Sequence, residues 1–142
     1  MKEEADNRLL KIFSRLPGSI YQIRLDTDGK FSFPYASENI KHIYEVSPDQ
    51  IREDASKIIS IIHPEDVDAV MSSIVESAEN LTPWQYEYRV KLAGGRIRFL
   101  YGNSIPQKEA DGSVLWHGYI SEITSRKEQE LALKASQQMT ND

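Results

Sequence analysis

The spacing of apolar residues changes several times along this chain, and each change marks an element. Leu9, Ile12, Phe13 and Leu16 recur at i, i+3, i+4 and i+7, one stripe of an amphipathic helix. Pro17-Gly18 stops that helix. The period then drops to two. Ile20–Leu25 and Phe31–Tyr35 read as strands on either side of the turn Asp26–Lys30, a hairpin. One short helix is expected to start near Ser37. A second is signalled by Ser47-Pro48-Asp49, a capping serine with proline at the first helical position. Ile58, Ile59, Ile61 and Ile62 cluster ahead of His63. From Pro64 to Asn80 the spacing of Val67, Val70, Met71, Ile74, Val75 and Ala78 predicts a longer helix. Three strands follow, Trp84–Leu92, Ile97–Ile105 and Val114–Ile123, joined through Gly94-Gly95 and Asp111-Gly112, both favoured hairpin residues. Two strands, then helices, then three strands imply an α+β fold, an antiparallel sheet with helices on one face. Beyond Thr124 the chain is helical in propensity, with a thin apolar stripe (Leu131, Ala135) that asks for a partner.

Bulk properties narrow the function. The 142 residues fit one domain with a terminal extension at either end, 39% hydrophobic and 27% charged, as in a globular protein. Lys and Arg number 17 against 22 Asp and Glu, with no basic cluster, so nucleic-acid binding is disfavoured. Cysteine is absent, which excludes disulfides, thiolate metal sites and cysteine nucleophiles. No apolar run reaches the ~18 residues of a membrane span, and the acidic start MKEEADNRLLK is unlike a signal peptide. The expectation is a cytoplasmic protein without direct membrane contact.

Candidate catalytic and metal-binding residues each have a plainer explanation. His63 precedes Pro64-Glu65-Asp66, so it caps a helix whose first turn holds proline and two acids that complement the dipole. His117 falls within the last strand and reads as a packing or interface residue. Asp26-Thr27-Asp28-Gly29 looks like the start of a calcium loop, but the later acidic ligands are missing and a hairpin turn accounts for it. There is no phosphate loop, no G-x-S-x-G and no paired-histidine zinc motif. No catalytic constellation and no metal site are expected.

Four blocks in order carry a family resemblance: LPGSIYQIRLDTDGKFSFPYAS, IIHPEDVDAV, WQYEYRVKLAGGRIRFLYGNSIP and DGSVLWHGYISEITSRK. Together, over roughly Pro17 to Lys127, they resemble a PAS sensor domain of the kind found in bacterial sensor kinases and cyclic-dinucleotide enzymes. The last block looks like the family's acidic-Ile-Thr joint between the final strand and a signalling helix, here Glu122, Ile123 and Thr124. Glu122 stands where the family usually has Asp, and its carboxylate is expected to reach the backbone N–H and hydroxyl of Thr124, two residues on. Gly94-Gly95 replaces the common Asp-Gly, and Phe99-Leu100 replaces Trp plus an aliphatic. The resemblance implies the strand order 2-1-5-4-3 and three segments: an N-terminal flanking helix (1–17), the sensory domain (18–124) and the start of a signalling helix (125–142). It also implies a non-catalytic module serving a C-terminal output domain, a histidine kinase or else a diguanylate cyclase or phosphodiesterase. Haem-binding members usually take their ligand from the longer helix, which has no histidine here, and His42 lies on a short one. No cofactor is therefore expected.

Strand parity assigns the faces. With the family's register, Ile120 points inward together with Gly118 and Trp116. The matching inner sets are Leu100, Gly102 and Ser104, and Tyr86, Tyr88 and Val90. These nine are the candidate pocket residues for a small apolar ligand, whose hydrogen-bonding groups Tyr86, Tyr88 or Ser104 would meet. Close packing instead predicts a filled core in which the glycines accommodate large rings. The opposite face carries Phe99, Tyr101, Ile105, Leu115 and Tyr119, too apolar to stay open to solvent. The stripe Leu9/Ile12/Phe13/Leu16 is the expected cover, from the same chain or from a second copy, so Tyr101, Leu115 and Tyr119 belong with it to a homodimer surface. Two rival readings are a ligand-free dimerisation module and a small enzyme on a similar sheet. The second would need a titratable pocket that the inner residues do not offer.

Overall fold

The computed structural model describes residues 18–141, with side chains through 138. The expected N-terminal stripe of Leu9, Ile12, Phe13 and Leu16 lies outside the described residues. The strands are β1 (Gly18–Leu25), β2 (Phe31–Ala36), β3 (Trp84–Lys91), β4 (Ile97–Lys108) and β5 (Val114–Glu122). They form one antiparallel sheet in the order β2-β1-β5-β4-β3. Short helices α1 (Ile40–Tyr44), α2 (Pro48–Ile51) and α3 (Ser56–Ile59), and the longer α4 (Val67–Asn80), lie between β2 and β3. Helix α5 (Thr124–Asn141) grows from the end of β5.

Local signals set the element ends. Asp26 closes the first hairpin, its Oδ1 accepting from the Asp28 and Lys30 amides at 2.9 Å. Asp111 does the same for the last hairpin, accepting from Ser113 N–H and Oγ–H at 2.9 and 2.6 Å, while Gly112 takes a φ of 92°. Ser47 and Gln50 open α2, the Ser47 amide donating to Gln50 Oε1 at 2.9 Å. The expected helix from Pro64 begins at Val67 with Asp66 at its N-cap, and His63 closes the turn ahead of it. Its Nδ1 accepts from the Glu65 amide at 3.1 Å, and its carbonyl accepts from Asp66 and Val67. Strand β4 runs three residues past the expected Ile105, because Gln107 and Lys108 still pair with Leu115 and Val114.

One core lies between the inner sheet face and the helices. Trp84, Tyr88, Val90, Leu100, Trp116 and Ile120 from the sheet bury against Ile40, Ile51, Ile58, Val70 and Ile74 from the helices. The parity assignment therefore agrees with burial: Val90, Leu100, Ser104, Trp116 and Ile120 are buried, whereas Gln85, Glu87 and Asn103 are exposed. Helix α4 is fastened to this face at two points one turn apart. Trp84 Nε1 donates to Ser73 Oγ at 2.8 Å, and Trp116 Nε1 donates to Ser77 Oγ at 3.0 Å. Its start is held by Asp66, whose carboxylate takes the Arg89 guanidinium at 2.8 Å and the Arg89 amide at 2.8 Å.

Candidate functional site: an inner cavity and the joint to α5

The nine candidate pocket residues do share one face, but they do not surround one pocket. A Cβ on Gly102 would run into the Trp84 ring, and one on Gly118 would meet Ser104 and the Asn103 carbonyl. Both glycines are thus occupied by neighbours, as close packing predicts. Trp84 fills the inner face beside Gly102, and a larger residue there would collide with the indole. Tyr86 is half-buried and stacks on Trp84, with ring centroids 6.3 Å apart and planes 9° from parallel.

A cavity of about 40 Å³ lies instead between helices α3 and α4 and the inner sheet face, reached by β1 and β2 from one edge and by β3 from the other. Of the nine candidates only Tyr88 lines it. Its other walls include Phe33, Tyr44, Ile58, Met71 and Trp84. Trp84 shares the parity of Tyr86 and Tyr88, so the sequence held that signal. Tyr44 sits on a helix too short for any periodicity to assign its face.

The polar groups of this region are hydroxyls. Tyr44 and Tyr88 are hydrogen-bonded to one another through their buried hydroxyls. Burial pushes both phenols well above their ordinary pKa. Tyr21, Gly118 and Ser104 stand side by side on β1, β5 and β4. With no side chain at Gly118, the Tyr21 hydroxyl approaches Ser104 Oγ without reaching hydrogen-bond geometry. Tyr21 is pushed up to about 12 by burial, the Ser104 hydroxyl opposing the shift.

At the end of β5, Glu122, Ile123 and Thr124 do meet as a joint, with different partners from those the sequence suggests. Glu122 does not hold Thr124. Its carboxylate faces the Arg98 guanidinium at 3.5 Å. The Thr124 hydroxyl accepts from the Phe99 amide at 3.0 Å, and the Ile123 amide donates to the Phe99 carbonyl at 2.8 Å. The joint is therefore clamped to β4 by backbone, which extends the ladder one residue past the strand. The first turn of α5 is tied to β3 as well, Arg126 and Lys127 each reaching Glu87 at 2.7 Å. These two cations hold the Glu87 carboxyl below its usual range, Lys127 contributing most. Arg98 has a second set of partners, donating to the Ile43 carbonyl at 3.2 Å and to the His42 carbonyl at the end of α1. Sequence reasoning missed Arg98, because its bond to α1 joins residues 55 and 56 positions apart.

The proposed outer surface is half-buried at Tyr101, Leu115 and Tyr119, while Ile105 remains 65% exposed. His117 is exposed there, with Nδ1 3.3 Å from Gln22 Nε2. No group of three or more potential metal ligands forms among the described residues. No described helix is long and apolar enough to cross a membrane.

The profile of the PAS fold family matches residues 33–120. This chain belongs to the PAS family. Among curated proteins none matches. Among solved structures, a sensory box histidine kinase/response regulator from Burkholderia thailandensis shares 21% identity. The match covers 94% of this chain and 98% of that one, with a TM-score of 0.72. The N-terminal domain of a diguanylate cyclase with PAS/PAC sensor from Marinobacter aquaeolei is 16% identical, over 77% of this chain and 98% of that one, at a TM-score of 0.63. A domain of a putative light and redox sensing histidine kinase from Haloarcula marismortui is 20% identical, over 82% and 99%, at 0.61. The PAS domain is thus shared by proteins with different outputs, and the likeness at these identities is one of fold.

Proposed function

We propose that this PAS domain is a sensory or relay module that converts a change in its core into a change in the direction of α5, for a C-terminal output domain that is a histidine kinase. The observation that carries this reading is the position of Arg98. One guanidinium bonds the carbonyl end of α1, next to cavity-lining Tyr44, and faces Glu122 at the root of α5. A displacement of α1 is therefore felt at the joint without passing through the rigid interior of the sheet. The Burkholderia and Haloarcula relatives support a kinase output, and the Marinobacter relative supports a cyclase as the alternative. The domain acts as a homodimer, with the outer sheet face and the N-terminal stripe as the contact surface, and works in the cytoplasm without catalysis of its own.

The test is a fusion of this chain ahead of a histidine kinase core. Glu122→Ala and Thr124→Ala each remove one contact at the joint and should change autophosphorylation severalfold. Each should lower domain stability by only about 1 kcal/mol, the usual worth of one such bond. Normal basal and stimulated output in both variants would reduce the joint to a passive linker.

A further inference from the structure

The buried hydroxyl pair on the cavity wall has one O–H that goes unused. Tyr44 and Tyr88 share a single hydrogen bond, which uses one of their two O–H groups. The other finds no acceptor among the described residues. The Tyr21 hydroxyl and Ser104 Oγ, each belonging to a residue only 2% exposed, have no hydrogen-bond partner either. Natural cores rarely leave such groups unmatched, because each buried polar atom without a partner costs stability. All three phenols stay protonated across the physiological range, since burial raises every one of them. What the Tyr44–Tyr88 pair lacks is an acceptor for its second proton.

The cavity walls limit who can supply it. Its lining is apolar apart from the two tyrosines, and no charged residue borders it. A charged ligand would be buried without a counter-ion, at a cost that neutral hydroxyls do not offset. The volume of about 40 Å³ is well under the ~150 Å³ in which an apolar cavity holds benzene. It suits a molecule of a few heavy atoms, with the flexible side chain of Met71 as the wall most able to yield. Tyr44 also borders a surface depression shared with Val46, Lys57 and Leu92.

We propose that the inner cavity of this domain binds a small uncharged molecule with one carbonyl-type acceptor, hydrogen-bonded by the Tyr44–Tyr88 pair. The proposal rests on the sensory reading above and names the chemical class sensed. An acceptor placed against the pair takes the unused O–H and bears on Tyr44, at the end of α1 that Arg98 grips.

Three probes of nearly one size decide it: acetone, isobutene (which lacks the acceptor) and acetate (which adds a charge). Each is titrated into the intact chain while the indole N–H of Trp84, a cavity wall, is followed by NMR. Acetone should give a saturable shift, and acetate none. Either hydroxyl alone still offers one free O–H, so Tyr44→Phe and Tyr88→Phe combined should weaken acetone about fivefold, the worth of one hydrogen bond. The double variant should leave isobutene within about twofold, a result that also shows it remains folded. If the double variant does not fold, the three-probe comparison in the unmodified chain still decides. No saturable acetone response, a stronger response to acetate, or equal acetone affinity in the folded double variant would each overturn the proposal. Altered kinase output in the Glu122 and Thr124 variants alongside such a failure would leave the relay standing and remove only the ligand class.

Discussion

A single ion pair shows how much one residue can hold in this domain. The Asp66 carboxylate receives two guanidinium hydrogen bonds and one amide from Arg89, and this keeps its carboxyl below the usual range. The pair joins the start of α4 to β3, and Asp66 is largely shielded, with a side chain 20% exposed. A carboxyl whose folded pKa is lowered contributes its full stability above the ordinary value near pH 4. That contribution fades as pH falls through the lower folded value. Asp66→Asn should therefore cost ~1.5–3 kcal/mol at pH 7, the range for hydrogen bonds to charged groups. The gap between variant and parent should close in acid. Urea titrations at pH 7 and pH 3 measure both, and an unchanged gap at the lower pH would deny the carboxylate this role.

Among elements, α4 is attached by polar as well as apolar contacts. Val70 and Ile74 bury into the core, and the two indole–serine bonds fix its rotation about its own axis. Ser77 Oγ is also bonded to the Thr82 carbonyl at 2.6 Å, so this hydroxyl donates to the turn after α4 and accepts from Trp116 on β5. Ser77→Ala leaves the Trp116 N–H buried without an acceptor. The expected loss is ~1–3 kcal/mol, the penalty of an unsatisfied buried donor, with a shifted tryptophan emission maximum. Replacing Trp116 by Phe in that background should then cost less than it does in the parent, because the partner is already gone. Equal costs in the two backgrounds would show that the bond contributes nothing.

At the scale of the molecule, the far part of α5 stands clear of the domain. Every described side chain from Glu128 to Gln138 on α5 is exposed, Leu131 and Leu133 among them. A helix this polar and this exposed is weakly stable by itself. At the other end, the stripe Leu9/Ile12/Phe13/Leu16 is too apolar for a lone helix in water. The chain should therefore self-associate, and changing Ile12 and Phe13 to Asp should weaken the dimer by ~1.5–3 kcal/mol for each large side chain lost. Sedimentation velocity checks this directly. A monomer at high micromolar concentration in the unmodified chain would exclude it.

Much of this architecture was legible because it is encoded locally. The alternation in β3, β4 and β5, the α4 stripe and the turn residues Asp26 and Asp111 each act over a few positions, within reach of period and propensity. Those signals determined the element order, the inner and outer sheet faces and the lack of any catalytic motif. The strand order came from family resemblance, since periodicity carries no information on which strands pair. Only the tertiary structure decided where space remains in the core. In sequence Gly102 and Gly118 fit either a pocket or a seat for large rings; whether a missing side chain leaves a void depends on the ring lying across it, and Trp84 reaches Gly102 from the neighbouring strand. The partners of Glu122 were hidden for the same reason. Arg98 approaches from β4, 24 positions earlier, and a side chain binds what folding brings beside it, at distances along the chain that no local pattern records.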